Sequence, residues 1–313
     1  MTDLVTLGEA MAVVASTELG PLAPGHSARL SFAGAEATVA IGVSRLGHTA
    51  SWIGKVGDDA AGSMILAGLR AEGVDVSGVG VEPSLPTGLM LRERRTSDHT
   101  RVAYYRRGLA GSTLSRGDVD EHLVAGARLL HITGITPALG GTALEAVRQA
   151  VDVARGTGVT VSLDVNYRSL LWSRGEAAAT LGSLVRQADI VFAGPEEAHL
   201  LVADSSPLSM ARALADLGPR QAVIKLGADG AVAVVDGSAV EQPVVRVTAI
   251  DPIGAGDAFV AGYLAAHLDG AEPIERLRTA ATCGAFSVAV MGDWEGLPHR
   301  NELSLLGGGD VHR

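Results

Sequence analysis

From Leu129 to Lys225, short apolar runs alternate with segments of helical period, and this alternation narrows the possible folds most. Leu129 to Thr133, Val159 to Val165, Ile190 to Ala193 and Ala222 to Lys225 read as buried strands. Thr142 to Ala154, Gly175 to Gln187, Glu196 to Val202 and Ser209 to Leu217 lie between them and read as helices. Strands joined by helical crossovers become parallel neighbours, with helices on both faces of their sheet. The expected fold is therefore α/β, a three-layer α/β/α sandwich around a mainly parallel central sheet. Ligands of such sheets bind beyond the carboxyl ends of the strands.

The first third of the chain supplies a second kind of strand. Leu4 to Leu7 and Ala50 to Val56 are apolar runs that belong with the main sheet. A helix is expected from Glu36 to Leu46, capped by Gly47, and another opens at Asp58-Asp59 and ends at Gly73. By contrast, Thr87 to Arg94 and Arg101 to Arg106 alternate polar and apolar residues around Thr96-Ser97-Asp98-His99. Such strands expose one face. With 11–16 and 28–32 they predict a small sheet laid over a pocket as a lid. The reading is one domain over residues 1–313, with lid strands from about 11–32 and 87–107. The terminal Gly307-Gly308-Gly309-Asp310 is expected to be mobile.

Composition excludes several function classes. A formal net charge of −10 argues against nucleic acid as a partner. An anionic substrate must then be drawn by local arginines or a metal ion. No apolar stretch reaches the roughly eighteen residues needed to cross a bilayer. The start, Met1-Thr2-Asp3-Leu4, has no basic segment, so no signal peptide and no membrane partner are expected, and the protein is read as cytoplasmic. The single cysteine, Cys283, excludes an intrachain disulfide framework and lies among small helix residues as a core filler. An exposed edge on the lid points to a homo-oligomer, a dimer or higher.

The chemistry concentrates in Ile250-Asp251-Pro252-Ile253-Gly254-Ala255-Gly256-Asp257-Ala258-Phe259. Phe259, Gly262, Tyr263 and Ala266 recur at helical spacing, which sets Gly254 to Asp257 on the first turn of a helix. Free backbone N–H groups point out of such a turn, and the helix dipole favours an anion there. Small residues let a phosphate come close. Asp257 stands beside the same spot and could accept a proton from an attacking hydroxyl. An anion hole next to a carboxylate base is what phosphoryl transfer to an alcohol requires. Read alone, Gly-Ala-Gly-Asp is also compatible with a tight turn at an acidic helix start.

The longer string Asp-Pro-Ile-Gly-Ala-Gly-Asp-Ala-Phe-Val-Ala-Gly-Tyr resembles the C-terminal signature of the PfkB, or ribokinase-like, family of carbohydrate kinases. The similarity runs in order along nearly the whole chain and is strongest to the 2-keto-3-deoxygluconate kinase subgroup. It implies a ribokinase-like fold and ATP-dependent phosphorylation of a sugar hydroxyl with Mg²⁺. It implies Asp257 as catalytic base and Gly254, Ala255 and Gly256 as the anion hole. The resemblance assigns ATP to Asn166, Lys225, Gly227, Gly230, Gly254 and Gly256. Asp164-Val165-Asn166-Tyr167-Arg168 and Lys225-Leu226-Gly227-Ala228-Asp229-Gly230 carry that match.

On the sugar side it assigns Gly34, Tyr104, Tyr105, Arg106, Ile135, Arg168, Asp257 and Asp293. Glu197, in Gly194-Pro195-Glu196-Glu197, matches the acid associated indirectly with magnesium. Strand alternation points one of Tyr104 and Tyr105 into the pocket. Arg106 and Arg168 suit a carboxylate, since a guanidinium fork makes two parallel hydrogen bonds to it. The expected partners are thus ATP and a small-molecule sugar acid. The pattern is broken at Thr38, where Asn is usual, at Met90, usually aromatic, and at Gly194, usually polar. Two other readings stay open here: the same kinase acting on a neutral sugar or nucleoside, and a non-catalytic ATP- or sugar-sensing protein.

Overall fold

The structure is a computed structural model that describes residues 2–96 and 99–306. The turn residues Ser97 and Asp98 and the segment 307–310 expected to be mobile lie outside the described residues. Strands β1 (Leu4–Leu7), β4 (Ala50–Gly57), β5 (Val74–Asp75), β6 (Val79–Glu82), β9 (Leu129–Thr133), β10 (Thr160–Asp164), β11 (Ile190–Ala193), β12 (Gln221–Lys225), β13 (Ala231–Val235) and β14 (Ser238–Gln242) form the main sheet. Its order is β14-β13-β12-β11-β10-β9-β1-β4-β5, with β6 also on β4. Pairing is parallel from β12 through β5, and β13 and β14 add an antiparallel edge.

Side-chain alternation along these strands supplies two cores. Ile190 and Phe192 join one apolar cluster, while Val191 and Ala193 join the other on the opposite face. That is the period-two signature of a sheet buried on both sides. Helices α1 (Ala35–Arg45) and α2 (Ala60–Ala71) follow β3 and β4. Helices α3 (Glu121–Ala125), α4 (Gly141–Thr157), α5 (Arg174–Val185), α6 (Pro195–Ala198) and α7 (Pro207–Asp216) come next. Two long helices close the chain: α8 (Ala255–Leu268) and α9 (Pro273–Val288). The helix expected over 196–202 is only the short α6, whose start is capped by Glu197.

α8 is apolar on every side and is buried along most of its length. Such a helix must be enclosed. It packs on α1 and α9, and at Gly262 the α9 backbone and Cys283 Sγ come so close that a Cβ would meet them at 2.8–2.9 Å. Cys283 is a filler of this contact, and burial pushes its thiol up to about 12. Tyr263 sets its ring edge-on to Phe192 at 5.2 Å and donates its hydroxyl to Gln221 Oε1 at 2.8 Å. The middle of α8 is thereby fixed against the sheet.

The second sheet has the order β3-β2-β7-β8, from β3 (Ala28–Ala33), β2 (Met11–Leu19), β7 (Leu89–Arg94) and β8 (Thr100–Tyr105). Its inner face holds the small cluster Met11, Val13, Ala33 and Met90, and β8 is an exposed edge. No helix among the described residues is long and apolar enough to cross a membrane.

Candidate active site

A cavity of about 1260 Å³ lies between the small sheet and the carboxyl ends of the main-sheet strands. The N-terminus of α8 forms one end. Gly254 caps that helix with φ 76°, in the left-handed region that suits glycine, and a Cβ there would strike the Asp293 carbonyl oxygen. At Gly256 a Cβ would meet only Lys225 Nζ, at 3.6 Å, so the approach to the turn is open. Ala255 turns its own N–H to the Pro252 carbonyl at 3.4 Å and does not line the cavity. The N–H groups of Gly256 and Asp257 sit in the first turn, where a helix offers no acceptor. Of the expected Gly254 to Gly256 set, Gly254 and Gly256 line the cavity, and Asp257 beside them adds a further first-turn N–H.

Asp257 faces the cavity beside this turn. Asn166 donates its side-chain amide to Asp257 Oδ1 at 3.3 Å, and it holds that position with φ 37°, a conformation asparagine tolerates. Burial, and next the Asp164 carboxylate, push Asp257 up to about 7, against the pull of Lys225 and Arg168. Lys225 reaches both Asp164 oxygens, at 2.6 and 2.7 Å. Burial works against its ammonium, but Asp164 and Glu197 outweigh that and hold its pKa above the ordinary lysine value. A carboxyl group thus stands in the first turn of α8 near an ammonium held by Asp164.

The other end of the cavity is lined from both sheets and the loops that follow their strands. Gly34, Ile135, Tyr104, Arg106, Arg168 and Asp293 all line the cavity. Tyr105 does not, because β8 pairs Tyr104 with Met90, and Tyr105 takes the opposite, half-exposed face. Arg106 lines the cavity and is ion-paired with the buried Glu9. Arg168 is exposed to the cavity and has no ion pair among the described residues. Glu36 lies buried behind Gly8 and accepts hydroxyl hydrogen bonds from Thr136 at 2.6 Å and Thr133 at 2.7 Å. Burial still pushes its carboxyl above the ordinary range.

Asp293 is held by Arg92 at 2.5 Å, and burial pushes it up to about 6. Gly227 and Gly230 stay outside the cavity, in the β12–β13 turn, where Gly230 has φ 94° and leaves no room for a side chain against Gln242 and Val244. Their glycines are explained by the turn. Glu197 spends its carboxylate on backbone: Gly194 N–H at 2.6 Å and Tyr167 N–H at 3.1 Å. Gly194 contributes that N–H and lines the cavity without a polar side chain.

Sequence reasoning missed Glu9, Glu36 and Arg92. Glu9 lies two residues past β1 at the carboxyl edge, where sites form, and Arg92 shares the inner face of β7 with Met90 by alternation. Both signals were present.

Comparison with known proteins agrees with this geometry. The model of the pfkB family of carbohydrate kinases matches residues 1–300. A 2-dehydro-3-deoxygluconokinase of Bacillus subtilis (strain 168) is 36% identical over 96% of this chain and 94% of its own length. One from Thermoproteus tenax is 36% identical over 98% of this chain and 94% of its own. A solved E. coli chain in complex with ATP and Mg²⁺, named a candidate ribokinase II, superposes with a TM-score of 0.90 at 25% identity, covering 98% of this chain and 99% of that one.

Proposed function

The chain belongs to the pfkB family of carbohydrate kinases, and on that premise we propose that it transfers the γ-phosphoryl group of ATP to the primary hydroxyl of 2-keto-3-deoxygluconate, the 2-dehydro-3-deoxygluconate of its relatives' names. The observation that carries the acid is Arg168, a cavity guanidinium left without a carboxylate partner among the described residues. A neutral sugar offers this exposed guanidinium only single hydrogen bonds, whereas a sugar carboxylate matches its fork. Arg106, neutralised by Glu9, would contribute hydrogen bonds more than net charge.

Asp257 takes the proton from the attacking hydroxyl. The oxygen then bonds to the γ-phosphorus as the bond to the β-phosphate oxygen breaks, and ADP leaves. The N–H groups of Gly256 and Asp257, with the helix dipole behind them, stabilise charge on the moving phosphoryl group; removing such a donor costs on the order of 10²- to 10³-fold in rate. Lys225 adds a fixed positive charge, and Asn166 orients the base. The small sheet excludes water, which keeps ATP from simple hydrolysis.

The donor set fits Mg²⁺ brought in on ATP with much of its water shell. No cluster of three histidine, cysteine or acidic side chains stands ready for a metal among the described residues. Glu197, committed to two backbone N–H groups, would meet the ion through water. Bound with ATP, Mg²⁺ offsets the charge of the phosphate oxygens. A requirement for ATP supports a cytoplasmic setting for the reaction.

The test is ADP release with purified full-length chain, MgATP and the sugar acid, with the product read by phosphorus–proton NMR. A phosphate coupled to the two protons of a primary carbon is expected. ADP release with no sugar phosphate would overturn the proposal.

A further inference from the structure

Arg92 lies on β7 of the small sheet, yet its guanidinium reaches the phosphate end of the site. It is buried at 5% exposure and meets Asp293 at 2.5 Å and Asp251 at 3.8 Å. Those two acids hold both sides of the Gly254 cap. Asp251 Oδ1 accepts the Ile253 N–H at 3.1 Å, one residue before Gly254. Its Oδ2 accepts the Gly292 N–H at 3.3 Å. Asp293 packs its carbonyl against Gly254 where a side chain would otherwise stand. One buried cation therefore ties a lid strand to the two segments that shape the anion-binding turn.

The tie is reinforced from the other edge of the small sheet. Trp294 donates its indole N–H to the Phe32 carbonyl at 3.2 Å and packs on the Phe32 ring at 4.9 Å. Ser31 donates to Glu295 at 2.7 Å. Segment 291–295 thus runs as a strap between the sheet that covers the sugar and the turn that takes the phosphate. A buried charge of this kind is costly unless paired, and in return it specifies one geometry. A guanidinium can hold two carboxylates with separate nitrogens in a fixed plane, while an ammonium cannot.

We infer that Arg92 is a positioning residue: by bridging Asp293 and Asp251 it transmits the placement of the small sheet to the phosphate-binding turn. It acts on the reaction without contacting the reacting atoms. The inference rests on the kinase reading above. It predicts an effect on turnover, not on ground-state binding of either substrate.

The experiment is steady-state kinetics of full-length wild type, Arg92→Lys and Arg92→Met with 2-keto-3-deoxygluconate and MgATP, alongside thermal melts. For Arg92→Met, kcat is expected to fall 10- to 100-fold while KM for each substrate moves less than threefold. Arg92→Lys keeps the charge but loses the fork, and is expected to fall in between. If Arg92→Met does not fold, Arg92→Lys decides alone: a lower kcat at unchanged KM supports the inference, and a wild-type kcat overturns it. Unchanged kcat with a lowered melting temperature would make Arg92 merely structural. Unchanged kcat with a raised sugar KM would make it a substrate contact. Either outcome overturns the inference. Absence of kinase activity in the wild type would instead overturn the function on which it rests.

Discussion

Asn166 donates its side-chain amide to Asp257 across 3.3 Å, joining the end of β10 to the first turn of α8. The two residues are far apart in sequence, and their meeting holds the proposed base in the first turn of α8. Asp257→Asn removes the proton acceptor at nearly constant shape. It is expected to lower kcat by roughly 10²- to 10⁴-fold with ATP binding retained. ATP affinity by calorimetry and turnover by ADP release check this; near-wild-type turnover would take Asp257 out of the mechanism.

The same residue should govern the pH profile. Asp257 works as a carboxylate, and burial together with Asp164 raises it to about 7. Below that value its ionised fraction drops tenfold per unit, so kcat/KM should climb with pH and level off above about 7. The stability sign is opposite. A raised folded pKa contributes stability that is present below the ordinary 3.8 and lost as pH rises through about 7. Asp257→Asn should therefore melt higher than wild type at pH 8, with the gap closing in acid. A flat activity profile from pH 5 to 8 would contradict the assignment.

Gly256 and Gly254 should separate catalysis from folding. At Gly256 the nearest atom to a Cβ is Lys225 Nζ, 3.6 Å away, so Gly256→Val should fold but fill the phosphate approach. Its kcat is expected to fall at least about 100-fold, in line with loss of an oxyanion donor. Gly254→Ala places a Cβ against the Asp293 carbonyl at φ 76°, and should lose thermal stability as well as activity. An unchanged kcat for Gly256→Val would mean that the phosphoryl group sits elsewhere.

The layers and the helix start were legible because period and spacing are local signals. The alternation from Leu129 onward reads directly as β9 to β12 and their crossovers, and Gly254 to Asp257 as the start of α8. Ion pairing was not legible. The partner of Arg106, Glu9, lies in the connection between β1 and β2, far off in sequence. Alternation sets Arg92 on the same face of β7 as Met90, but only the packing of Asp251 and Asp293 shows it buried between two acids. Tyr104 and Tyr105 could not be separated until the register opposite Met90 set which face each takes.

Arg168 tests the substrate end. Arg168→Ala should raise KM for the sugar acid at least about tenfold, roughly 1.4 kcal/mol, while leaving KM for ATP nearly unchanged. Steady-state kinetics with each substrate varied in turn will show it. Equal rises in both constants would mean that Arg168 serves the nucleotide and not the acid.

The central claim is that this site phosphorylates an acid sugar, and a substrate panel measures it most directly. The specificity constants kcat/KM for 2-keto-3-deoxygluconate, ribose and fructose should be compared under one set of conditions, with MgATP saturating. Arg168, unpaired at the cavity, predicts a clear preference for the acid. Met90, flexible, apolar and buried, should loosen the choice between epimers but adds no affinity for a neutral sugar. The account predicts that kcat/KM for 2-keto-3-deoxygluconate exceeds that for ribose and fructose by at least about 100-fold, roughly 2.7 kcal/mol; a constant for either neutral sugar equal to or above that for the acid would contradict it.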